Sequence, residues 1–346
     1  MPAGKYLFYG EKMELKTLLK IDSVLEQPVL LAPMAGVTDY AFREICRRQG
    51  ADMTYSEMIS AKGLKYNSRR TFELADVHQG ERLAIQLFGR DPKDIAQAIE
   101  MLQEQQGEKI VCFDLNMGCP APKIVNNGEG SALMKEPLLA AHIVEEAKRT
   151  ASRPVTVKFR KGFDMQHCNY LQFAQTMQEA GADAIAVHGR LREQYYAGKA
   201  DWACIAQIKK RVRIPVIANG DIFSPEDALA ILQQTRADGI MVARGASGNP
   251  FLFEQIKQYL QDGTYKEVER DRKANVILQQ AGLCCEAKGE RRAMQEFRKH
   301  AAWYLKGVRG AAALRQQAIS ITSMEELKKL VDYVFGEPAH TVQDMV

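Results

Sequence analysis

The chain has 346 residues, of which 46% are hydrophobic and 26% are charged, and its formal net charge is +4. This composition excludes a disordered, collagen-like or disulfide-rich protein: the seven cysteines have neither disulfide-like nor zinc-like spacing, which predicts free thiols in a reducing cytoplasm and no metal site. No apolar run approaches the roughly 20 residues of a membrane span, and the first residues lack the apolar core of a secretory signal.

The first 26 residues have a mixed composition, and we expect them to lie at the periphery. Eight short apolar runs follow, each closed by turn residues, as is typical of buried strands. They are Pro28–Pro33, Met53–Ser56, Arg82–Phe88, Ile110–Leu115, Pro154–Phe159, Ala184–His188, Pro215–Asn219 and Gly239–Ala243.

The segments between these runs have apolar residues at three- and four-residue spacing, which predicts amphipathic helices. Eight buried strands alternating with helices predict an α/β fold, a TIM (β/α)8 barrel. A doubly wound open sheet is the alternative, since periodicity cannot show that a sheet closes, but no GxGxxG motif follows the first strand. Examples of the helical segments are Tyr40–Arg48, Asp94–Gln105, Leu138–Ala151, Tyr170–Ala180 and Ser224–Gln234.

The sequence after Phe251 changes character and has helical patterns only. We predict a catalytic barrel over residues 1–255, followed by a small all-helical C-terminal domain over residues 256–346. The helices of this second domain are predicted at Val268–Lys288, Glu290–Leu305 and Ser323–Phe335.

The helical domain is locally basic. Between Glu286 and Arg315 it has eight basic and three acidic residues, with Trp303 and Tyr304 among them. A charged helix is usually a solvated face, but a local excess of this size favours contact with nucleic-acid phosphates.

The chemistry is predicted to centre on Cys119. The strand at Ile110–Leu115 ends in Asn116, Gly118, Cys119 and Pro120, so the thiol lies on a loop at the carboxyl end of a strand. In α/β barrels this face carries the active site. The alternative is an ordinary buried thiol, which is the commonest state of a free cysteine.

Polar residues occupy matching places at the other strand ends, in positions where a barrel otherwise has branched apolar groups. One such residue could be structural, but a set of them predicts a ligand site. Around the seventh and eighth strand ends, glycines with free N–H groups and an arginine are typical of a phosphate site. The strand-end residues are Gln86, Asn116, Lys158, His188, Asn219 and Arg244, and the phosphate-site segments are Asn219–Asp221 and Ala243–Gly245.

These motifs together resemble the tRNA-dihydrouridine synthase family, and are most similar to its bacterial B-type branch. The resemblance covers most of residues 28–316. The matching stretches are Leu31–Asp39 (LAPMAGVTD), Leu115–Pro120 (LNMGCP), Val187–Arg190 (VHGR), Gly198–Trp202 (GKADW), Ile217–Asp221 (IANGD) and Phe297–Tyr304 (FRKHAAWY).

The resemblance implies an FMN-containing barrel, a helical RNA-binding domain and NADPH as the electron donor. It implies that Cys119 is the catalytic acid and that Asn116 and Lys158 lie near the uracil, and we add Arg190, Arg298, Lys299 and Arg309 as expected contacts to the RNA. The residues implied to hold FMN are Pro33, Met34, Ala35, Gln86, Lys158, His188, Asn219, Gly220, Asp221, Ala243 and Arg244.

The activity implied is reduction of the C5–C6 double bond of tRNA uridines to dihydrouridine, by a cytoplasmic enzyme expected to be a monomer without a membrane or stable protein partner. A protonated thiol near neutral pH suits the delivery of a proton to C5. Two alternatives stay open. A flavin barrel that reduces dihydroorotate-like or enoate substrates would explain the phosphate site but not the basic domain. An RNA-binding protein on a disabled barrel would not need Cys119, Lys158 and His188.

Overall fold

A closed barrel of parallel strands forms the larger part of the molecule, as described by a computed structural model for residues 13–78, 80–308 and 310–336. The strands are β1 Val29–Leu31, β2 Met53–Tyr55, β3 Ile59–Ser60, β4 Leu83–Phe88, β5 Ile110–Met117, β6 Val155–Gly162, β7 Ala184–Leu191, β8 Val216–Asn219 and β9 Gly239–Val242.

The order of pairing proves closure. All pairings are parallel and run β2-β1-β9-β8-β7-β6-β5-β4, and β4 pairs again with β2 through Thr54 and Leu83. Strand β3 is a two-residue extension that pairs with the end of β4. The TIM barrel is therefore confirmed, and the open sheet is excluded.

Helices connect the barrel strands and cover their outer side. Each of the five predicted barrel helices is present within two residues of its expected ends. Ser224 caps the last of them and pairs with Asp227 in a capping box. The helix before the first strand is α1 Leu15–Leu18, and the helices that follow are α2 Tyr40–Arg48, α3 Ala61–Lys65, α4 Arg69–Ala75, α5 Pro92–Gln106, α6 Pro122–Val125, α7 Pro137–Thr150, α8 Tyr170–Glu179, α9 Trp202–Arg211, α10 Pro225–Thr235 and α11 Leu252–Asp262.

The barrel interior has an apolar lower half and a polar upper half. Side chains alternate along each strand, so one residue in two points inward. The apolar half includes Leu30, Tyr55, Ala84, Cys112 and Met241. The polar half lies at the carboxyl ends of the strands, which we call the mouth of the barrel, and the candidate site is there.

The N-terminal segment closes the bottom of the barrel. Leu15, Leu19 and Ile21 are buried in the same apolar cluster as the inward residues of the strands. Our expectation that residues 1–26 are peripheral was therefore wrong for these residues. The segment is too short and mixed to show a periodic pattern, so its burial could not be read from the sequence.

The remaining helices form a separate all-helical unit with its own apolar core, which includes Ile277, Phe297 and Val331. Ala41 of α2 belongs to this core, so the unit packs directly on the barrel. Its helices are α12 Arg270–Lys288, α13 Glu290–Tyr304, α14 Ala311–Ala318 and α15 Met324–Phe335.

The expected domain boundary at residue 255 falls within a helix. That position lies inside α11, whose residues Leu252, Phe253 and Ile256 are part of the apolar core between strands and barrel helices. Because α11 packs in this core, we propose that the boundary lies between α11 and α12. The eighth helix had no distinct sequence signal because it leads directly into another helical region.

Candidate active site

A cavity of about 540 Å³ opens at the mouth of the barrel. Its volume lies in the range typical of cofactor sites. The fold thus brings together Cys119, Asn116 and every residue that the sequence analysis assigned to the cofactor, which are Pro33, Met34, Ala35, Gln86, Lys158, His188, Asn219, Gly220, Asp221, Ala243 and Arg244.

Cys119 lies in the turn after β5, half-buried in the cavity wall. Its backbone N–H donates to Asn116 Oδ1 over 2.9 Å, and its carbonyl accepts from Ser131 Oγ over 2.8 Å. Burial raises the pKa of the Cys119 thiol, although Arg160 and Lys158 nearby act in the opposite direction. The thiol therefore keeps its proton at neutral pH, as a proton donor must.

Lys158 is one of the cations that line the cavity. Its Nζ donates to Asn219 Oδ1 over 2.9 Å, and Asn219 Nδ2 donates to the carbonyl of Met241 over 2.7 Å. Burial, and then the neighbouring Arg160, lowers the pKa of Lys158 to about 8. Lys158 is thus protonated at neutral pH, but only by a small margin.

His188 is a neutral imidazole. Burial, followed by the surrounding cations, lowers its pKa well below the usual value. Its Nε2 lies 3.3 Å from Arg190 Nη1. Because a guanidinium can only donate, Nε2 must accept and the ring proton must be on Nδ1. His188 can therefore hydrogen-bond a ligand but does not supply positive charge.

Arg190 lies behind the cavity rather than in its wall. Its buried guanidinium donates to the carbonyls of Ala197 and Gly198, over 3.1 and 2.6 Å, and to Asp221 over 2.7 Å. In this position it fixes the loop that follows β7. The structure does not bring Arg190 to a surface where RNA could contact it.

Asp221 forms ion pairs with two arginines, Arg190 and Arg244. Its backbone has a left-handed conformation, with φ of 56°, and its carboxylate accepts from Arg190, from the backbone of Ala200 and from Arg244 over 3.3 Å. A carboxylate would repel a phosphate, so the side chain serves to hold the arginines. Only the backbone of Asp221 is suited to direct contact with an anion.

Arg244 sits at the rim of the cavity between two aromatic rings. Its guanidinium carbon lies 4.3 Å from the ring centroid of Tyr196 and 5.4 Å from that of Phe223. Both rings are largely exposed. Stacking on the two rings orients the guanidinium toward the cavity, as an anion site requires.

The helical domain contributes to the same cavity. Trp303, near the end of α13, is part of the cavity wall. Gly248, with φ of 72°, allows this approach, since a Cβ there would lie 2.4 Å from the Trp303 backbone. Lys299 donates to the carbonyl of Gly36, whose N–H donates to Glu57. The helical domain therefore holds the loop that contains Met34 and Ala35.

The three predicted RNA contacts in the helical domain differ in their surroundings. Lys299 lies against the barrel at Gly36, as described above. Arg298 donates from Nε to the carbonyl of Ile321 over 2.9 Å, within the helical domain. Arg309 lies outside the described residues. Of the two described residues, each binds a backbone carbonyl and neither is fully exposed.

Sequence reasoning missed several residues of the site, and three of them are Arg160, Asp114 and Trp303. Arg160 lies in the cavity wall and donates to the Gly118 carbonyl over 2.8 Å. Asp114 lies beneath the cavity, fully buried. Both are two residues from an identified position on the same strand, Lys158 and Asn116, so the two-residue period could have found them. Trp303 had no such signal, because its place depends on how the domains pack.

The lining fits a large anionic cofactor such as FMN. The described cavity wall has the cations Lys158, Arg160 and Arg244 but a single carboxylate, Asp221, which the arginines already neutralise. Buried cations on one side of a cavity favour a phosphate or an anionic ring system there. The apolar side chains of Met34 and Met58 offer faces for a planar ring.

Comparison with known proteins gives a family match over most of the chain. The family model for dihydrouridine synthase (Dus) matches residues 30–339. A probable tRNA-dihydrouridine synthase 1 from Synechocystis sp. is 41% identical, covering 91% of this chain and 88% of its own. The tRNA-dihydrouridine synthase B of Pseudomonas aeruginosa is 40% identical, covering 85% and 88%.

Among solved structures, histamine dehydrogenase from Rhizobium sp. 4-9 is similar in fold alone. The TM-score is 0.50 and the identity is 14%, over 77% of this chain and 51% of that chain.

Proposed function

Because the chain belongs to the dihydrouridine synthase family, we propose that its barrel is a flavin-dependent tRNA-dihydrouridine synthase, which reduces the C5–C6 double bond of uridines in tRNA. The observation that carries the proposal is the cavity at the barrel mouth. A protonated thiol, a cationic lysine and a neutral histidine line it together, at Cys119, Lys158 and His188.

The cofactor we propose is FMN, with NADPH as its reductant. When bound, reduced flavin would supply a hydride to C6 of the uracil. Arg244 and the backbone at Gly220 and Asp221, which line the cavity, would hold the phosphate at the rim. Lys158 lies deeper in the cavity, where its charge would stabilise an anionic ring system, and Met34 and Ala35 would pack against the ring faces.

Cys119 is the proposed acid that protonates C5. The thiol holds a proton at neutral pH because burial raises its pKa. Its turn is fixed from two sides, by Asn116 through the backbone N–H and by Ser131 through the carbonyl. A general acid must be held within reach of the atom that it protonates, and these contacts provide that rigidity.

The substrate must reach the cavity as an extruded base, since a uridine in folded tRNA is not accessible to a barrel mouth. Extrusion costs a few kcal/mol, which binding of the RNA body must offset. We propose that the basic helical domain contributes that binding energy, and that the enzyme acts as a monomer in the cytoplasm, where tRNA matures. Trp303 places this domain next to the cavity, at the point where an extruded base would enter.

The test is made with the purified full-length protein. We expect flavin absorbance, oxidation of NADPH, and dihydrouridine in a uridine-only tRNA transcript after incubation, detected by mass spectrometry. Dihydroorotate-like and enoate substrates are the matched controls and should react at background rates. Reduction of these small molecules with no change in tRNA would contradict the proposal, and so would tRNA binding by a flavin-free, inactive protein.

A further inference from the structure

A chain of hydrogen bonds runs from beneath the cavity to Cys119. It begins at Asp114 on β5, which is fully buried inside the barrel. One carboxylate oxygen accepts from Thr156 Oγ1 over 2.6 Å, and the other accepts from Gln86 Nε2 over 2.6 Å. The Asp114 carboxylate thus contacts the first amide of the chain directly.

The chain continues through two amide side chains. Gln86 Oε1 accepts from Asn116 Nδ2 over 2.8 Å. Asn116 Oδ1 then accepts from the backbone N–H groups of Gly118, over 3.2 Å, and Cys119, over 2.9 Å. Every link between Asp114 and the turn of Cys119 is therefore a direct hydrogen bond.

The direction of every link follows from the two ends. An ionised carboxylate can only accept, so the Gln86 amide must point its NH₂ toward Asp114 and its oxygen toward Asn116. Asn116 must then point its NH₂ toward Gln86 and its oxygen toward the turn. At the other end, the two backbone N–H groups can only donate, which requires the same orientation of Asn116. The two ends agree, so one arrangement satisfies every group.

We propose that Asp114 is a positioning residue. It sets the direction of the Gln86 amide, so that Gln86 accepts from Asn116 and supports Asn116 in holding the turn of Cys119 in place for proton transfer. The inference rests on the proposed function for its consequence in catalysis, but the hydrogen-bond chain itself does not depend on it. Replacement of the carboxylate by an amide, which can also donate, removes the requirement on Gln86. Gln86 can then turn over and offer NH₂ instead of oxygen to the NH₂ of Asn116, so Asn116 loses the hydrogen bond that supports it against the turn.

The experiment compares Asp114→Asn with Thr156→Val in the full-length protein at pH 8. Thr156→Val also removes a hydrogen bond from the buried carboxylate but leaves the amide chain intact, so it controls for general destabilisation. The first measurement is the rate at which iodoacetamide alkylates Cys119 in apo-protein, followed by peptide mass spectrometry. The second is single-turnover dihydrouridine formation in flavin-loaded enzyme reduced beforehand.

We expect Asp114→Asn to change the alkylation rate of Cys119 by about tenfold and to slow dihydrouridine formation by about 10²-fold, since a misplacement near 1 Å costs about that much. Flavin content should stay normal. Thr156→Val should leave both rates within about twofold of wild type, even where its melting temperature falls. Equal effects of the two variants on both rates would overturn the proposal.

Gln86→Met alone keeps the proposal testable where Asp114→Asn folds poorly, since it should change the alkylation rate of Cys119 by a similar factor. Where Asp114→Asn folds, a double-mutant cycle tests the route. Gln86→Met breaks the chain at its centre, so Asp114→Asn should add nothing further to the alkylation rate when Gln86 is already replaced. Fully additive effects would show that Asp114 acts by another route and would overturn the proposal. A wild-type enzyme that makes no dihydrouridine would contradict the proposed function, whereas the alkylation results would still decide the role of Asp114.

Discussion

The barrel mouth and the basic helical domain are both rich in cations, yet they use them differently. At the mouth, Lys158 and Arg244 point into a cavity and are suited to hold a ligand. In the helical domain, four of the eight basic residues counted in the sequence already bind carboxylates or carbonyls of the protein itself. Lys288 and Arg292 form ion pairs, Arg298 binds a carbonyl of its own domain, and Lys299 binds a carbonyl of the barrel.

The difference shows that the position of a cation in the fold is a better guide to its function than the number of cations in a segment. Barrel topology brings every strand end to one face, so a polar residue there meets the others wherever it lies in the sequence. A helix has no such rule, since each cation can turn to a carboxylate, a carbonyl or solvent. Within the described residues, Arg291, Lys306 and Arg315 are exposed and form no ion pair, so these three are the better candidates for contact with RNA.

The largest effect is expected at the barrel mouth, on replacement of Cys119. Cys119→Ala should lower dihydrouridine formation by about 10² to 10⁴, the usual contribution of one general acid. Flavin content and reduction by NADPH should stay near normal, because alanine fits the space of a small thiol. Single-turnover oxidation of pre-reduced enzyme by tRNA measures this step.

Cys119→Ser is the matched control and should restore little, because a hydroxyl is a much weaker acid than a thiol. Dihydrouridine formation by Cys119→Ala at the wild-type rate would place the acid elsewhere, with Lys158 as the next candidate. Cys119 would then have no more claim to a catalytic role than the other cysteines of the chain.

The next largest effect is expected on stability, on replacement of Lys288, which joins the helical domain to the barrel. Lys288 donates to Asp39 of the barrel over 2.6 Å and to Glu296 over 2.7 Å. Lys288→Met leaves the largely buried Asp39 without its partner and should lower the free energy of unfolding by about 3 kcal/mol. Lys329→Met, which removes an exposed ion pair with Glu325, is the control and should cost about 0.5 kcal/mol or less.

The ion pair between Lys288 and Asp39 also predicts that the stability of the protein depends on pH in the acidic range. Burial raises the pKa of Asp39, but Lys288, His300 and the backbone N–H of Phe42 together more than offset this, and the net pKa lies below the usual value. The ion pair therefore contributes stability above about pH 4 and loses it as the pH falls through the lowered pKa. Urea denaturation between pH 3 and 7 should show this loss in the wild type but not in Lys288→Met. Parallel curves for the two proteins would mean that the pair does not join the domains.

Much of the fold could be predicted because the buried face of a strand or helix places apolar residues at regular intervals in the sequence. All eight barrel strands and five barrel helices follow from it, and so do helices α12, α13 and α15. The plug formed by Leu15 and Leu19 and the eighth helix at Leu252–Asp262 do not. The plug is too short to be periodic, and α11 has no turn signal to separate it from the next domain.

The sequence identified part of the membership of the candidate site but not its connections. The residues that it identified were found from strand ends and motifs. That Arg190 lies behind the wall, or that Asp221 holds two arginines, depends on which way each side chain turns after the strands are assembled. Trp303 enters the site from another domain, which no local pattern records.

A smaller effect, on the pH dependence of FMN affinity, should distinguish Lys158 from the other ionisable groups of the cavity. Between pH 7 and 9 it is the described cavity group expected to titrate, since the pKa of His188 lies well below 6.5, that of Asp114 is about 6 and that of Cys119 lies above its usual value. FMN affinity of apo-protein should fall about tenfold as the pH rises through the Lys158 pKa of about 8, because a charge-assisted contact is lost. Fluorescence titration measures it. Lys158→Met should bind weakly at every pH, and a pH dependence that survives in this variant would assign the titration to another group.

The smallest effect tests the helical domain, with two pairs of substitutions matched in charge. Arg291→Gln with Arg315→Gln removes two exposed cations, whereas Arg298→Gln with Lys299→Gln removes two that already bind carbonyls of the protein. Each phosphate contact contributes about one unit to the slope of log affinity against log salt, so the first pair should lower the slope for tRNA binding by roughly 2. The second pair should change it by less than about 0.5 and should instead loosen the loop at Gly36, which flavin retention reports. The reverse pattern would mean that Arg298 and Lys299 leave their carbonyls when RNA binds, and that the original assignment from charge alone was right.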